Sequence, residues 1–443
     1  MAPPWVLLDR CVDFCFDAED DDSAAAVVAA AKKKASVAKA SVLQSLMEST
    51  VALLGSMKPD AVLPHPPGIA TFRLLGSKSH RAVPSCSLVA CADKGLLVLY
   101  AGKYCGPGSP TRGCYLVYDA SAGAPVLTTV PPPPLARYLT CIGAGAVVLR
   151  RHTTSSAYLL AELATTPERG LPDAVLYLWR SDSPTPQWVK KEVQLPPEVR
   201  RAPGSHNFCA DLSFSALDSL CWVDLLHGIV VCHNPWGPED PVFSFIPLPD
   251  GCPSVGTSDH PYRPRMLEFR SAACVDGEIK VVTMEGHLED WYFHQFRLTT
   301  WTLSPDLREW HQDGVFPLKN LWMTDEYRAL KLPQHTPVCP VLSACEEDVV
   351  YVVVNDVEHV ELREMVQGSE AVRTQIDFKG QYVLGLDMHH NKIISTSHGL
   401  PASMMQLTPR LIATEFCASL QGMKDRQRGG SKGGWGERKE AKG

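Results

Sequence analysis

A chain of 443 residues with 45% hydrophobic composition holds enough apolar material for one large β body or two to three ordinary domains, which excludes wholesale disorder. Its formal charge of −7 is unevenly placed: residues 1–22 carry seven acids against Arg10, and residues 420–443 carry seven Lys/Arg against three acids. The mildly acidic body between them has no basic face of the kind that binds phosphate backbones, so nucleic acid is excluded as a partner of the folded part.

In chain order, Trp5-Val6-Leu7-Leu8-Asp9 and Val12-Asp13-Phe14-Cys15-Phe16 are two short apolar runs compatible with strands, and an acidic run closes this segment at Asp22. Residues 23–55 are Ala/Lys-rich, with Ser23 at the start and Gly55 just past Leu54. They predict a long helix with start and stop signals. Apolar residues at 43, 46, 47, 51 and 54 recur at helical spacing, so only its second half carries a stripe to bury. Lys32, Lys33, Lys34 and Lys39 rule out a membrane span.

From residue 56 to 419 the pattern changes to short apolar runs broken by Gly, Pro and Asp. Ser87–Tyr100 predicts a hairpin across Asp93-Lys94-Gly95, and Leu220–Cys232 repeats that form. After each comes a strand ending in proline, at Pro131 and at Pro247. Two further units begin near Ala273 and Asp348, and a hairpin from Tyr382 to Ser395 is placed where it closes the array against an N-terminal strand. A tryptophan pair also recurs at one spacing: Trp179 to Trp188 across a Ser-Pro-Thr-Pro turn, and Trp301 to Trp310 across a Ser-Pro-Asp turn. Units of roughly 40 to 60 residues, each unable to bury both faces alone, predict a mostly β, propeller-like array of antiparallel meanders with five or six blades. Residues 420–443 are Gly/Lys/Arg-rich and read as a disordered basic tail.

Trp222-Val223-Asp224-Leu225 followed by Gly228-Ile229, then Phe245-Ile246-Pro247-Leu248-Pro249, resembles a plant family, expanded in grasses, called domain of unknown function 1618. The opening Trp5–Asp9 and the later Trp301 to Trp310 unit ending at Leu321-Trp322 are similar to it as well. The resemblance implies a propeller-like body akin to the kelch-like domains associated with F-box proteins, and it implies no activity. The Ala/Lys-rich stretch at 23–55 departs from the family's pattern, which has a more polar, strand-forming segment there.

The residues that invite chemistry each have a simpler structural explanation. Trp222 beside Asp224 is a combination that binds sugars or cations, yet an aromatic at a repeated position fills the gap between sheets and an Asp before a turn accepts backbone N–H groups. The family-motif residues Trp222, Asp224, Gly228, Trp179, Trp188, Trp301 and Trp310 are therefore expected to be structural. Gly102-Lys103-Tyr104-Cys105-Gly106 lacks the spacing and the following helix of a phosphate loop. The fifteen cysteines form no Cys-x-x-Cys pair, and Cys11/Cys15, Cys86/Cys91 and Cys339/Cys345 fit no zinc pattern, so structural thiols are expected. His287/His294 and His389/His390 lack metal-binding helical spacing, Glu346-Glu347-Asp348 and Glu285 with Glu289-Asp290 offer carboxylates without known geometry, and no nucleophile elbow is present. No catalytic, metal or cofactor residue is assigned. A protein-interaction module presenting the loops 103–112, 196–208 and 250–265 is expected, with a propeller hydrolase acting on a glycan or ester through channel carboxylates as the alternative. The partner expected is a protein, not a membrane, with Arg428-Gly429-Gly430 and Trp435 leaving RNA contact to the tail alone. With no secretory leader pattern and no Asn-x-Ser/Thr sequon, an intracellular location, cytoplasmic or nuclear, is expected.

Overall fold

A computed structural model describes residues 3–16, 51–77, 86–102, 113–121, 126–134, 145–152, 155–165, 174–199, 208–252, 265–285, 296–332, 334–366, 369–399 and 408–418. The protein is mostly β. Five four-stranded antiparallel meanders follow one another: sheet I is β4 (Cys86–Asp93), β5 (Leu96–Gly102), β6 (Cys114–Asp119) and β7 (Val126–Val130); sheet II is β8 (Ala146–Arg150), β9 (Tyr158–Thr165), β10 (Ala174–Arg180) and β11 (Val189–Val193). Sheet III is β12 (Leu212–Ala216), β13 (Ser219–Asp224), β14 (Gly228–His233) and β15 (Val242–Pro247); sheet IV is β16 (Arg270–Val275), β17 (Glu278–Glu285), β18 (Arg297–Leu303) and β19 (Trp310–Pro317). Sheet V is β20 (Val338–Leu342), β21 (Val349–Val366), β22 (Ser369–Asp387) and β23 (Lys392–Gly399).

A terminal sheet joins the two ends of the chain. β1 (Val6–Phe16) pairs antiparallel with β24 (Leu411–Thr414) and parallel with β3 (Ile69–Gly76), which pairs with β2 (Lys58–Val62). A single pair, Cys11 with Leu88, also ties β1 to β4, so sheet I and the terminal sheet run on as one eight-stranded surface. The first strand of each meander lies on the inside: contacts run from β4 to β8, β12, β16, β20 and β24.

Burial explains why the middle strands are nearly continuous apolar runs. Each sheet is covered on both faces, so β13 and β14 bury both alternating side-chain sets, while the outer strand β11 is largely exposed. That is the pattern of a strand buried on two sides. Six clusters fill the gaps between sheets in turn: Tyr100, Tyr115, Leu160 and Trp179 between I and II; Leu176, Trp222 and Val230 between II and III; Val223, Ile229, Val281 and Leu303 between III and IV. Val282, Phe316, Val350 and Leu384 follow between IV and V, Trp5, Leu7, Val341 and Tyr351 between V and the terminal sheet, and Leu8, Phe72, Leu97 and Phe416 between that sheet and I. The clusters close a ring. At about 1.5–3 kcal/mol for each large apolar side chain removed from water, they are the dominant favourable term.

Three expectations need correction. The two N-terminal runs form one strand, because the pairing register shifts between Leu8 and Val12 and carries the strand past Arg10. The Tyr382 to Ser395 hairpin lies inside sheet V as β22 and β23, and β24 closes the ring on β1 instead. Two short helices also occur, α1 (Leu318–Met323) and α2 (Asp325–Leu330), whose Leu318, Leu321, Trp322 and Tyr327 cap the IV–V core. Of the expected helix at 23–55, residues 51–56 are helical and Leu54 is buried; residues 23–50 and the tail lie outside the described residues.

Candidate functional site

The inner strands surround a cavity of about 520 Å³ at the middle of the ring. Residues of those strands line it, and many are small: Ala90 and Ala92 of β4, Ser213 and Ser215 of β12, Ala273 of β16 and Ala413 of β24. Small side chains there leave the centre open. One mouth is formed by the inner hairpin turns, where Asp93, Lys94, Leu217, Asp218, Asp276 and Glu415 line the opening. Leu217 and Asp218 are the two turn residues between β12 and β13, with φ of 49° and 57°. That turn requires the left-handed conformation twice, which Asn and Gly adopt readily and leucine does not. Leu217 is nonetheless 55% exposed. Behind Glu415, the Cys345 thiol meets its carboxylate at 3.2 Å, and the neighbouring Glu346 accepts hydrogen bonds from the hydroxyls of Ser343 at 2.9 Å and Tyr351 at 2.8 Å. On the opposite side of the mouth, Asp93 accepts from the Arg150 backbone N–H at 2.7 Å and Arg150 pairs with Asp119 at 2.8 Å.

The seven family-motif residues do not line this cavity, although Cys91 and Cys339 do; the structure places the seven in three other locations. Trp222 is fully buried, with Nε1 donating to the carbonyl of Gly145 at 2.8 Å across the II–III gap. Asp224 ends β13, also fully buried. Its Oδ1 accepts from Leu226 N and its Oδ2 from Cys209 N, each at 2.9 Å, and His227 Nδ1 lies 2.9 Å from Oδ2. Asp211 accepts from Leu225 N and Arg270 donates to Leu225 O, both at 2.8 Å, so the 225–227 turn is held from sheets III and IV together. Gly228 follows at φ 154°, where a Cβ would run into the Ile246 carbonyl and the Phe245 ring.

The two tryptophan pairs occupy matching positions. Trp179 and Trp188 pack at a ring separation of 5.7 Å between sheets I and II, and Trp301 and Trp310 pack between III and IV. The second member of each pair donates its indole N–H to the proline carbonyl at the end of the preceding sheet: Trp188 to Pro131 at 2.6 Å and Trp310 to Pro247 at 2.8 Å. The sequence repeat is thus a repeated tie between neighbouring sheets.

Among the described residues no group of three or more His, Cys, Asp or Glu side chains is placed to hold a metal ion. Six cysteines, Cys91, Cys114, Cys221, Cys232, Cys339 and Cys417, are buried and free. Burial pushes the Cys114 and Cys232 thiols up to about 12, which keeps them protonated and unreactive. His389 and His390 sit in the exposed β22–β23 turn, where His390 pairs with Asp387 at 2.8 Å. His287, His294, Glu289, Asp290, loop 103–112 and most of loops 196–208 and 250–265 lie outside the described residues. No described helix is long and apolar enough to cross a membrane.

Residues 222–351 match the family described as protein of unknown function (DUF1618). The match opens on the buried Trp222 and closes on Tyr351, so it takes in Asp224, Gly228, Trp301 and Trp310 and leaves out Trp179 and Trp188. No curated protein matches the chain. Among solved structures, a substituted form of the Bombyx mori GH32 β-fructofuranosidase BmSUC1 in complex with sucrose is similar at 11% identity and a TM-score of 0.31, covering 75% of this chain and 68% of that one. The endo-arabinase from Bacteroides thetaiotaomicron VPI-5482 is similar at 13% identity and a TM-score of 0.22, covering 61% and 79%. Likeness at those scores transfers neither fold nor activity.

The cavity and its rim escaped the sequence because their residues come from strands and turns far apart in the chain. The available signal was positional: an apolar run that shrinks to Ala and Cys just before a turn with Asp, as at Ala90-Cys91-Ala92-Asp93 and Ala272-Ala273-Cys274-Val275-Asp276.

Proposed function

We propose that the chain is a six-bladed, propeller-like, non-enzymatic interaction module that receives a protein partner on the face formed by its inner hairpin turns. The observation that carries this is Leu217. A leucine held left-handed costs about 1 kcal/mol or more, and leaving it 55% exposed gives up much of the burial that would offset that cost within the chain. Strain at an exposed apolar side chain, at the mouth of a cavity, points to a contact made with something else. Asp218, Asp276 and Glu415, which line the same mouth, favour a partner segment that combines an apolar anchor with basic residues. In this view Trp222, Asp224, Gly228 and the two tryptophan pairs build the body that holds the face.

A hydrolase acting through channel carboxylates is the competing function. Asp93, Asp218, Asp276 and Glu415 do line the cavity, but none of its lining residues is a histidine, and Asp93 is committed to the Arg150 backbone.

Affinity purification of three tagged forms from the source cells separates the two: the full chain, a chain ending at Ala418, and Leu217→Asn. A stoichiometric protein recovered with the first two and lost with the third is the expected result. Equal recovery with Leu217→Asn overturns the assignment of this face, and glycan or ester hydrolysis abolished by Asp276→Asn overturns the non-enzymatic function.

A further inference from the structure

Five Ser-Pro or Thr-Pro pairs fall among the described residues: Ser183-Pro184, Thr185-Pro186, Ser304-Pro305, Thr336-Pro337 and Thr408-Pro409. They differ in how far each is presented to solvent. Pro337 and Pro409 are buried, and Ser183 and Ser304 are half-buried. Thr185-Pro186 is the one pair among them with both residues exposed, and it lies inside an exposed run from Pro184 to Gln187 between β10 and β11.

The hydroxyls differ as well. In the matching turn of sheet IV, Ser304 Oγ donates to Asp306 at 2.6 Å and accepts from Glu309 N at 2.9 Å, so it holds its own turn. Ser183 Oγ donates to the Thr185 carbonyl at 3.3 Å. Among the described residues no hydrogen bond occupies the Thr185 hydroxyl. Pro186 after it fixes the local backbone and presents no N–H to a binding groove. The turn also lies on the cavity-mouth face. Ser181 N donates to the Tyr158 carbonyl at 3.0 Å and Arg151 pairs with Asp182 at 3.2 Å, which joins it to the β8–β9 turn. Arg150 at the start of that turn donates its backbone N–H to Asp93 of the mouth at 2.7 Å.

We propose that Thr185 is a phosphorylation site for a proline-directed protein kinase. Thr185 Oγ1 attacks the γ-phosphorus of ATP, and the new O–P ester bond forms as the bond to the β–γ bridging oxygen breaks. ADP leaves, and the hydroxyl proton passes to the carboxylate base of the kinase. The exposed hydroxyl has no intramolecular bond to give up first. Phosphothreonine brings a charge of about −1.5 to −2 to the face that Asp93, Asp218, Asp276 and Glu415 already line with carboxylates. Stronger attraction for a basic partner segment follows; that consequence rests on the function proposed above, whereas the modification itself does not.

The test is phosphorylation of the full, folded chain by a mitogen-activated protein kinase and, separately, by a cyclin-dependent kinase, each with Mg²⁺ and ATP. Tandem mass spectrometry maps the site. Phosphate on Thr185 is expected with at least one of the two kinases, its initial rate of transfer falling about tenfold or more in Thr185→Ala and in Pro186→Ala. Both positions are exposed, so both variants are expected to fold and to melt as the unsubstituted chain does. Absence of phosphate with both kinases, a rate unchanged in either variant, or phosphate on Ser183 or Ser304 in place of Thr185 would each overturn the proposal. The assay contains no partner protein. A failed phosphorylation therefore leaves the interaction function standing, and a failed capture of a partner leaves the phosphorylation site standing.

Discussion

Replacing Asp224 by alanine probes the residue on which the family-matched region turns. Its carboxylate is fully buried and serves Cys209 N, Leu226 N and His227 Nδ1. Alanine strands all three groups in the interior, and each orphaned buried donor costs about 1–3 kcal/mol, so the loss is expected to reach about 3–6 kcal/mol after partial relaxation. Losses of that size come from broken buried networks rather than surface changes. Asp224→Asn keeps the shape and one acceptor oxygen but turns an amide NH₂ toward donors, so a loss of about half that is expected. Urea unfolding followed by tryptophan fluorescence is the assay, since Trp222 lies two residues away in the same strand. A midpoint for Asp224→Ala that corresponds to less than about 0.5 kcal/mol of destabilisation, the usual range for an unimportant surface site, would refute a structural role for the carboxylate.

Gly228→Ala is expected to cost about 3 kcal/mol or more, because φ 154° suits glycine alone and the added methyl meets the Ile246 carbonyl; a thermal melt indistinguishable from the unsubstituted chain would contradict this. Trp188→Phe and Trp310→Phe should each lose about 1 kcal/mol from the hydrogen bond to the preceding sheet. Their double variant should be additive, since the ties lie in different gaps, and a strongly non-additive unfolding energy would show that the ties are not independent. Burial raises the Asp119 pKa, but hydrogen bonds from Arg150 and Ser121 outweigh it and hold the carboxyl below its usual range. The stability this contributes is present above the unfolded value of about 3.9 and is lost as pH falls through the lower folded value. Asp119→Asn should therefore lower stability at neutral pH and flatten the acid limb of the stability curve, and an unchanged acid limb would contradict it.

How much of this was legible in the chain depends on whether a local pattern or a distant contact decides each element. Strands β13 and β14 were visible because a strand buried on both faces shows as an apolar run, and the Trp179/Trp188 and Trp301/Trp310 pairs exposed the repeat because each makes the same tie. β1 looked like two strands because Arg10 and Cys11 interrupt the apolar run. The break disappears in the fold, where the Arg10 side chain bonds to the carbonyls of sheet I. β24 is four residues long and pairs with a strand at the opposite end of the chain, which no local pattern announces. The helix α2 does have a local signal: Thr324 accepts from Tyr327 N as an N-cap, Asp325 and Glu326 occupy the first turn, and Lys331 ends the helix in the left-handed region. The cavity was illegible because it is assembled from strands far apart in the chain, with its small residues supplied by β4, β12, β16 and β24 together.

The most direct test of the central claim is hydrogen exchange of the backbone amides with and without the captured protein partner. Protection concentrated in the inner turns at 93–95, 217–218, 276–277 and 344–347 is the expected result. Protection confined to the outer strands β7, β11, β15 and β19, with those turns unchanged, would contradict it.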